Sequence, residues 1–371
     1  MIIGIDGNEA NVEKKVGIGE YAYELLLGFY KLASKREDLK FKIYLKNLPN
    51  NDMPAPSIYW QYQIVGPKKL WTRIGLPLKL FLEGKKPDVF FTPTHYGPRF
   101  SPVSTVISIM DLSFLHFPQL FTKHDLYQLT NWTKYSAKKA KKIFTISEFS
   151  KNDIISAYGI NKDKVVVTYP GIKIKSAKSK DFNMDDLKKK FGISGQYILF
   201  VGTLQPRKNI EKLIEAFSLL KKSDMRLLIV GKKGWLYEQI LASPQKYQVA
   251  DRVKFLDFVS DEDLPSLYKN AVCFVLPSLY EGFGLPVLEA MKNGCPVLAS
   301  DVSSLPEAGG DAALYFNPTS ASDIADKLEK VISSPKLREE MVKKGYNQIK
   351  KFSWDKTAKE TLKVLEKIVN E

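Results

Sequence analysis

Short, nearly continuous apolar runs punctuate the chain at strand length. In the first half they fall at residues 1–6, 41–46, 88–93, 105–111, 142–147 and 164–170. In the second they fall at 196–202, 226–231, 253–258, 272–278, 295–301 and 312–318. Helical segments lie between many of them. Strands that are apolar throughout are covered on both faces, and their alternation with helices predicts parallel sheets wound on both sides. Between the two series, residues 173–186 are rich in Lys and Ser and poor in apolar positions, the composition of a linker. The chain therefore reads as two doubly wound α/β domains in tandem. A helical run at 337–350 leads into an amphipathic helix at 354–371.

The length, 371 residues, is too great for one ordinary core and agrees with two domains. At 44% apolar and 26% charged, the chain is neither fibrous nor disordered. Its two cysteines, Cys273 and Cys295, sit in apolar runs, which excludes a disulfide framework and suits buried thiols in a reducing compartment. No apolar run reaches the ~18–20 residues that cross a bilayer, and the start lacks an export signal. A cytoplasmic protein is expected. The net charge of +15 is lopsided: residues 1–180 hold 28 Lys and Arg against 15 Asp and Glu, and the rest is nearly neutral. Two basic-aromatic stretches stand out in this half. One is residues 68–86, with Trp71 and Phe81; the other is Lys138, Lys139, Lys141 and Lys142, following Trp132 and Tyr135. Each singly reads as a helix with solvated lysines. Together with the charge they suit an anionic membrane surface, with peripheral attachment at the inner face. Nucleic acid is disfavoured, because no recognisable reading motif accompanies the charge.

Three strand ends in the second half carry unusual chemistry. The first runs Gly202-Thr203-Leu204-Gln205-Pro206-Arg207-Lys208-Asn209 into a helix expected at 209–220. Two cations at a helix N-terminus oppose its dipole, and a multiply charged anion between them would resolve the conflict. The second is Ser278-Leu279-Tyr280-Glu281-Gly282-Phe283-Gly284-Leu285-Pro286-Val287-Leu288-Glu289. Its glycines allow close backbone approach, and Pro286 suits a first helical turn, which would also contain Glu289. Glu281 and Glu289 read as acceptors for sugar or ribose hydroxyls; taken alone, they read as a loop acid and a dipole partner. In the third, Ser304 and Glu307 have the spacing of a capping box. Asp261-Glu262-Asp263 reads as helix capping rather than a metal triplet.

In this order, these segments resemble the retaining GT-B glycosyltransferases of family 4, over nearly the whole chain. Glu281 and Glu289 with the intervening Gly-Phe-Gly-Leu-Pro carry most of the resemblance, supported upstream by Gly202, Arg207 and Lys208. The resemblance implies two Rossmann-like domains facing across a cleft. The first, on the acceptor side, takes residues 1–173 plus 354–371; the second, which holds the nucleotide sugar, takes residues 190–353. It further implies that Glu281 contacts donor sugar hydroxyls, Glu289 the ribose, and Arg207 and Lys208 the diphosphate. Phe258 and Val259 would flank the base, while Gly282, Phe283, Gly284 and Leu285 approach the phosphates beside Gly202 and Thr203. Many members have Arg where this chain has Thr203, a charge that Arg207 would supply.

In the first half, Gly17-Ile18-Gly19 opens a helix but lacks the third glycine of a dinucleotide fingerprint. By the resemblance, Gly17 and Gly19 belong to the loop that closes on the donor phosphates and borders the acceptor. Asp111 is an acceptor-side candidate. It follows Met110, where relatives often carry His; His95 and His116 are nearby in sequence, but a lone His is more often structural. The implied chemistry is metal-independent, cofactor-free retaining transfer of a hexose to a glycan or lipid-linked acceptor of surface polysaccharide synthesis. GDP-mannose is the first donor indicated, a UDP-hexose the second. A sugar-nucleotide epimerase, which would need acid/base side chains near the sugar, and a non-catalytic nucleotide-sugar binder are the rival readings.

Overall fold

The apolar runs fold as strands for the reason their composition gives: most of them are buried inside sheets that helices cover. A computed structural model describes residues 1–172, 181–221 and 224–371. Most of the expected linker, residues 173–180, lies outside the described residues. The chain divides into two compact units, Met1–Gly171 with Phe352–Glu371, and Ile172–Lys351. Both are Rossmann-like and doubly wound, the architecture that the GT-B resemblance implies.

The first unit contains β1 (Ile2–Asp6), β2 (Lys40–Leu45), β3 (Trp60–Ile64), β4 (Val89–Thr92), β5 (Ser104–Ser108), β6 (Lys142–Thr145) and β7 (Val165–Val167). They form one parallel sheet in the order β3-β2-β1-β4-β5-β6-β7. The pattern of apolar runs misses β3. Trp60-Gln61-Tyr62-Gln63-Ile64 alternates apolar and polar positions because it is an edge strand; Trp60 is buried and packs on Phe41.

The second unit contains β8 (Tyr197–Val201), β9 (Arg226–Val230), β10 (Val253–Leu256), β11 (Cys273–Leu276), β12 (Val297–Ser300) and β13 (Ala313–Phe316). Its parallel order is β10-β9-β8-β11-β12-β13. Strand order reverses between β1 and β4 in one sheet and between β8 and β11 in the other. Beyond the carboxyl ends at such a reversal, the connections diverge to opposite faces and leave a crevice. Cys273 and Cys295 are buried free thiols, and burial pushes the Cys273 thiol up to about 12.

Two boundaries differ from expectation. Asp185 and Asp186, read as linker, belong to the helix Met184–Phe191, because Asn183 and Asp186 form a reciprocal capping box. The helix expected at 209–220 is Ile210–Ser218, preceded by a tight turn at Pro206–Lys208 and by Asn209 in the left-handed conformation.

The C-terminal helix Trp354–Asn370 packs in the first unit, burying Ala358, Leu362, Leu365 and Ile368 in the core beneath helix Ile18–Ala33. The two helices approach at Gly28, where an added Cβ would stand 2.5 Å from that of Ala358. Gly28→Val should therefore cost ~1–3 kcal/mol in urea unfolding. Gly84→Ala, at a position with open space around it, should stay within roughly 0.5 kcal/mol. Equal effects would mean that the helix contact does not hold the C-terminal segment in place.

Candidate functional site

The second sheet's reversal point brings the ends of β8 and β11 side by side, and both carry motif residues. After β8, Pro206–Lys208 turns tightly and Asn209 adopts φ 56°, a conformation Asn tolerates better than most residues. The Asn209 amide donates to the carbonyls of Pro277 (3.0 Å) and Pro318 (2.8 Å), tying the turn to the strand ends beside it. The Leu279 N–H donates to the Arg207 carbonyl at 2.9 Å. These bonds fix the backbone from which Arg207, Lys208 and Glu281 converge.

Glu281 is 7% exposed and Lys208 8% exposed. The Lys208 ammonium and the Ser278 hydroxyl, at 2.6 Å, donate to Oε1 of Glu281, while Arg207 donates to Oε2 at 3.1 Å and to the Tyr280 carbonyl at 2.7 Å. The backbone of Glu281 is held as well. Its N–H donates to the Ser303 hydroxyl (3.1 Å), and its carbonyl accepts from the Ser304 hydroxyl (2.8 Å). Burial alone would raise the carboxyl's pKa; Lys208 and Arg207, with the hydrogen bonds from Lys208 and Ser278, bring it down to about 2. The sequence argument that the two cations await a bound anion is thus corrected in part. Glu281 already stands between them, and the site is a buried, hydrogen-bonded triad of two positive charges and one negative.

The glycine loop closes this site. Gly284 has φ 98° and caps the helix Leu285–Lys292; a Cβ there would lie 2.6 Å from the Leu305 side chain. Gly282 and Phe283 are buried, and Leu285 is half-buried. Pro286 lies in the first turn as expected, but Glu289 is the fifth helical residue and so belongs to the second turn. Its carboxylate accepts from the buried Tyr268 hydroxyl at 3.2 Å. Beyond β9, a Cβ at Gly231 would stand 1.9 Å from the Gly202 carbonyl oxygen, so only glycine allows these loops to meet. Next to that contact the Leu204 N–H donates to the Lys232 carbonyl at 2.9 Å, and Leu204 pairs with Lys233. The Lys232 ammonium lies 4.7 Å over the ring of Phe258, which is 64% exposed, whereas Val259 is buried.

Two expected caps are used otherwise. Ser304 precedes the helix Leu305–Gly309 in near-helical backbone geometry, so its hydroxyl crosses to the Glu281 carbonyl instead of capping. Asp263 likewise makes no cap; it accepts from Lys190 and from Ser260, each at 2.7 Å. Among the described residues no group of three or more His, Cys, Asp and Glu side chains is arranged to hold a metal ion.

In the first unit, Gly17 has φ 54° at the start of helix Ile18–Ala33, and a Cβ on Gly19 would meet the Glu9 carbonyl at 3.0 Å. Asp111 is half-buried and accepts from the Ser113 N–H at 2.8 Å. His95, set aside in the sequence reading, packs edge-on against Phe114 at 5.9 Å; burial lowers its pKa, and Asp111 opposes that shift. Met110 is buried. Sequence reasoning missed Asp6, which ends β1 at the reversal point. It is 5% exposed, and burial raises its pKa to about 6 against the hydrogen bonds from Asn8. An acid closing the first apolar strand was the available signal. Ser278, Ser303 and Tyr268 were also missed; small hydroxyls and a core tyrosine have no distinctive pattern.

Residues 183–348 match the family model of glycosyl transferases group 1, and residues 54–176 match that of Glycosyltransferase Family 4. The chain is 30% identical over 379 residues to O-antigen chain mannosyltransferase B of Escherichia coli, covering 93% of this chain and 94% of that one. It is 33% identical over 263 residues to the serotype-specific mannosyltransferase WbdA of Escherichia coli, a match covering 63% of this chain and 32% of WbdA. Among solved structures, sucrose-phosphate synthase from Thermosynechococcus elongatus is similar with a TM-score of 0.74 at 18% identity, over 99% of each chain. That likeness concerns the fold.

The carboxyls of Glu281 and Asp6 should act on stability in opposite senses. Glu281 has its folded pKa depressed from 4.5 to about 2, so its contribution is complete above pH 4.5 and is lost as pH falls toward 2. It amounts to about 3 kcal/mol. Glu281→Gln should remove that part of the acid dependence in urea melts between pH 5 and 2; an unchanged pH profile would contradict the triad. Asp6 has its folded pKa raised from 3.8 to about 6, a cost that is absent below 3.8 and complete above 6. Asp6→Asn should therefore raise the melting temperature at pH 7.5 and change it little at pH 3.5. A lower value at pH 7.5 would show that the charge is compensated in the fold.

Proposed function

The chain belongs to glycosyltransferase family 4, and from that membership we propose that it transfers mannose from GDP-mannose to a growing surface polysaccharide, with retention at the anomeric carbon. The observation that carries the proposal is the Arg207–Glu281–Lys208 triad at the reversal point of the second sheet. A relative matched over 94% of its own length is an O-antigen chain mannosyltransferase, and its name supports both the mannosyl group and the glycan acceptor.

In this reading the bond between the sugar's C1 and the β-phosphate oxygen breaks as the acceptor oxygen bonds to C1 from the same face. The acceptor hydroxyl's proton passes to the departing phosphate. No protein nucleophile is required. The charge growing on the phosphate is met by Arg207 and Lys208, fixed charges in a nearly water-free site. Glu281, ionised throughout the working pH range, holds both cations at one spacing and offers its carboxylate to the sugar hydroxyls. Gly202, Thr203, Gly282, Phe283, Gly284 and Leu285 border the phosphates, Glu289 takes the ribose, and Phe258 and Val259 flank the base. On the acceptor side, Gly17, Gly19 and Asp111 serve the incoming glycan or lipid-linked chain. The reaction needs no metal or cofactor, and it takes place in the cytoplasm at an anionic membrane face met by the basic first unit.

Thermal melts with GDP, UDP and ADP and their sugar conjugates, with and without EDTA, test the donor. GDP and GDP-mannose should raise the midpoint equally in both conditions. A UDP-selective shift would reassign the sugar, and a shift abolished by EDTA would overturn metal independence. Arg207→Gln should weaken GDP binding by roughly tenfold or more while changing guanosine binding little, as expected for losing charge-assisted bonds to phosphate. Equal loss for both would remove Arg207 from the diphosphate site.

A further inference from the structure

Ligands of the first sheet belong at the carboxyl ends of its strands, where Asp6, His95 and Asp111 lie. Its opposite edge holds a groove of about 690 Å³. Ser104 and Lys142, the first residues of β5 and β6, line it, and Lys164 lies just before β7. A strand of this length separates the two edges by about 16 Å. The groove is therefore distinct from the first unit's candidate acceptor residues.

Six cations line it, Arg99, Lys138, Lys139, Lys141, Lys142 and Lys164, against one carboxylate residue, Asp163. Helix chemistry explains only part of this. Lys138 and Lys139 occupy the last turn of helix Lys123–Lys139, where the dipole favours cations. Lys142 and Lys164 donate to the backbone carbonyls of Asp163 and Lys138, each at 2.7 Å, which satisfies hydrogen bonding but leaves their charge unbalanced. Lys141 pairs with Glu371 at 3.7 Å on the surface, where such pairs contribute little. The Arg99 guanidinium is stacked 3.7 Å over the Tyr135 ring, and the Tyr135 hydroxyl donates to the Arg99 carbonyl, so this cation is held in one place. So much like charge around one concavity repels itself and attracts polyanions.

An apolar wall decides which polyanion. Phe81 and Phe100 line the groove at 51% and 60% exposure. Phe81 also lies on helix Gly75–Leu82, whose Leu78 (51%) and Leu82 (82%) are exposed at positions i and i+4 of the same face. A cationic bed bordered by an exposed apolar helix face matches a charged headgroup layer next to acyl chains. Nucleic acid would leave that face in water.

We infer that this groove is a cradle for the phosphate headgroups of anionic bilayer lipid, with Phe81, Leu82 and Phe100 entering the acyl boundary. The inference rests on the membrane-surface reading above and assigns the place of contact. It makes docking separable from transfer, because the residues that grip lipid lie on the edge away from the acceptor residues.

Vesicle flotation of the full chain tests it, using phosphatidylcholine with and without 30% phosphatidylglycerol. The protein should float with the anionic vesicles and not with pure phosphatidylcholine. Lys138→Glu with Lys139→Glu should weaken binding at least tenfold, and Lys138→Gln with Lys139→Gln by less. Phe81→Ser with Leu82→Ser should reduce the binding that survives high salt. All variants should keep the wild-type melting temperature within a few degrees and the wild-type rate on a water-soluble acceptor. Inorganic phosphate at 10 mM should not displace the protein. Anionic-vesicle binding unaffected by the groove variants would refute the cradle and leave the membrane reading intact. Absence of vesicle binding by the wild type would refute both. Displacement by phosphate alone would make the groove a soluble-anion site, and preferential binding of RNA over vesicles would make it a nucleic-acid site; either result overturns the inference.

Discussion

A carboxylate buried between two cations governs the second unit. Glu281 carries its charge into a site with little water, an expensive position unless the charge is paired and every lone pair is used. Lys208, Arg207 and Ser278 satisfy the carboxylate, and Ser303 and Ser304 hold its backbone. Removal of Glu281 leaves two cations facing each other uncompensated, and removal of either cation strips the carboxylate of one of its donors, so the three positions are bound together physically. Such an arrangement is a weak source of net stability. Its use is geometric: it keeps two cations at fixed spacing before any substrate arrives, so that little reorganisation remains for the reaction.

The fold supplies this arrangement through topology. Because β8 and β11 are neighbours but their connections leave in opposite directions, a turn after one and a loop after the other end beside each other. The Asn209 amide and the Leu279–Arg207 backbone bond then join them. Gly231 and Gly284 stand where any side chain would collide with a neighbouring loop. The first unit repeats the topology with a different outcome: its reversal point ends in Asp6, an acid that burial makes reluctant to ionise. One sheet holds its acid charged and the other resists doing so. The difference follows from contact: Arg207 and Lys208 are hydrogen-bonded to Glu281, whereas the charge of Lys46 lowers the Asp6 pKa too little to offset its burial.

Much of this was legible in the sequence because buried parallel strands are unbroken apolar runs, and twelve such runs became strands. The strand that escaped, Trp60–Ile64, lies at a sheet edge and alternates. At the site, the unusual residues Arg207, Lys208, Glu281 and Glu289 could be found from charge placed where a helix dipole disfavours it, or from acids beside glycines. Their mutual pairing could not. Position 208 and position 281 are joined only by strand adjacency, which spacing along the chain does not encode. For the same reason Ser304 read as a helix cap: a hydroxyl before a helix has a local use, and only the tertiary neighbour reveals the other one.

A double-mutant cycle of Lys208→Met and Glu281→Gln measures the central interaction most directly. It should be read both as unfolding free energy in urea and as affinity for GDP-mannose. The account predicts strong coupling in stability, on the order of 2 kcal/mol or more, with the double variant less destabilised than the sum of the single ones. It also predicts coupling in donor affinity. Additive effects in both readouts would mean that Lys208 and Glu281 act independently, and that the buried triad is not the framework on which donor binding is built.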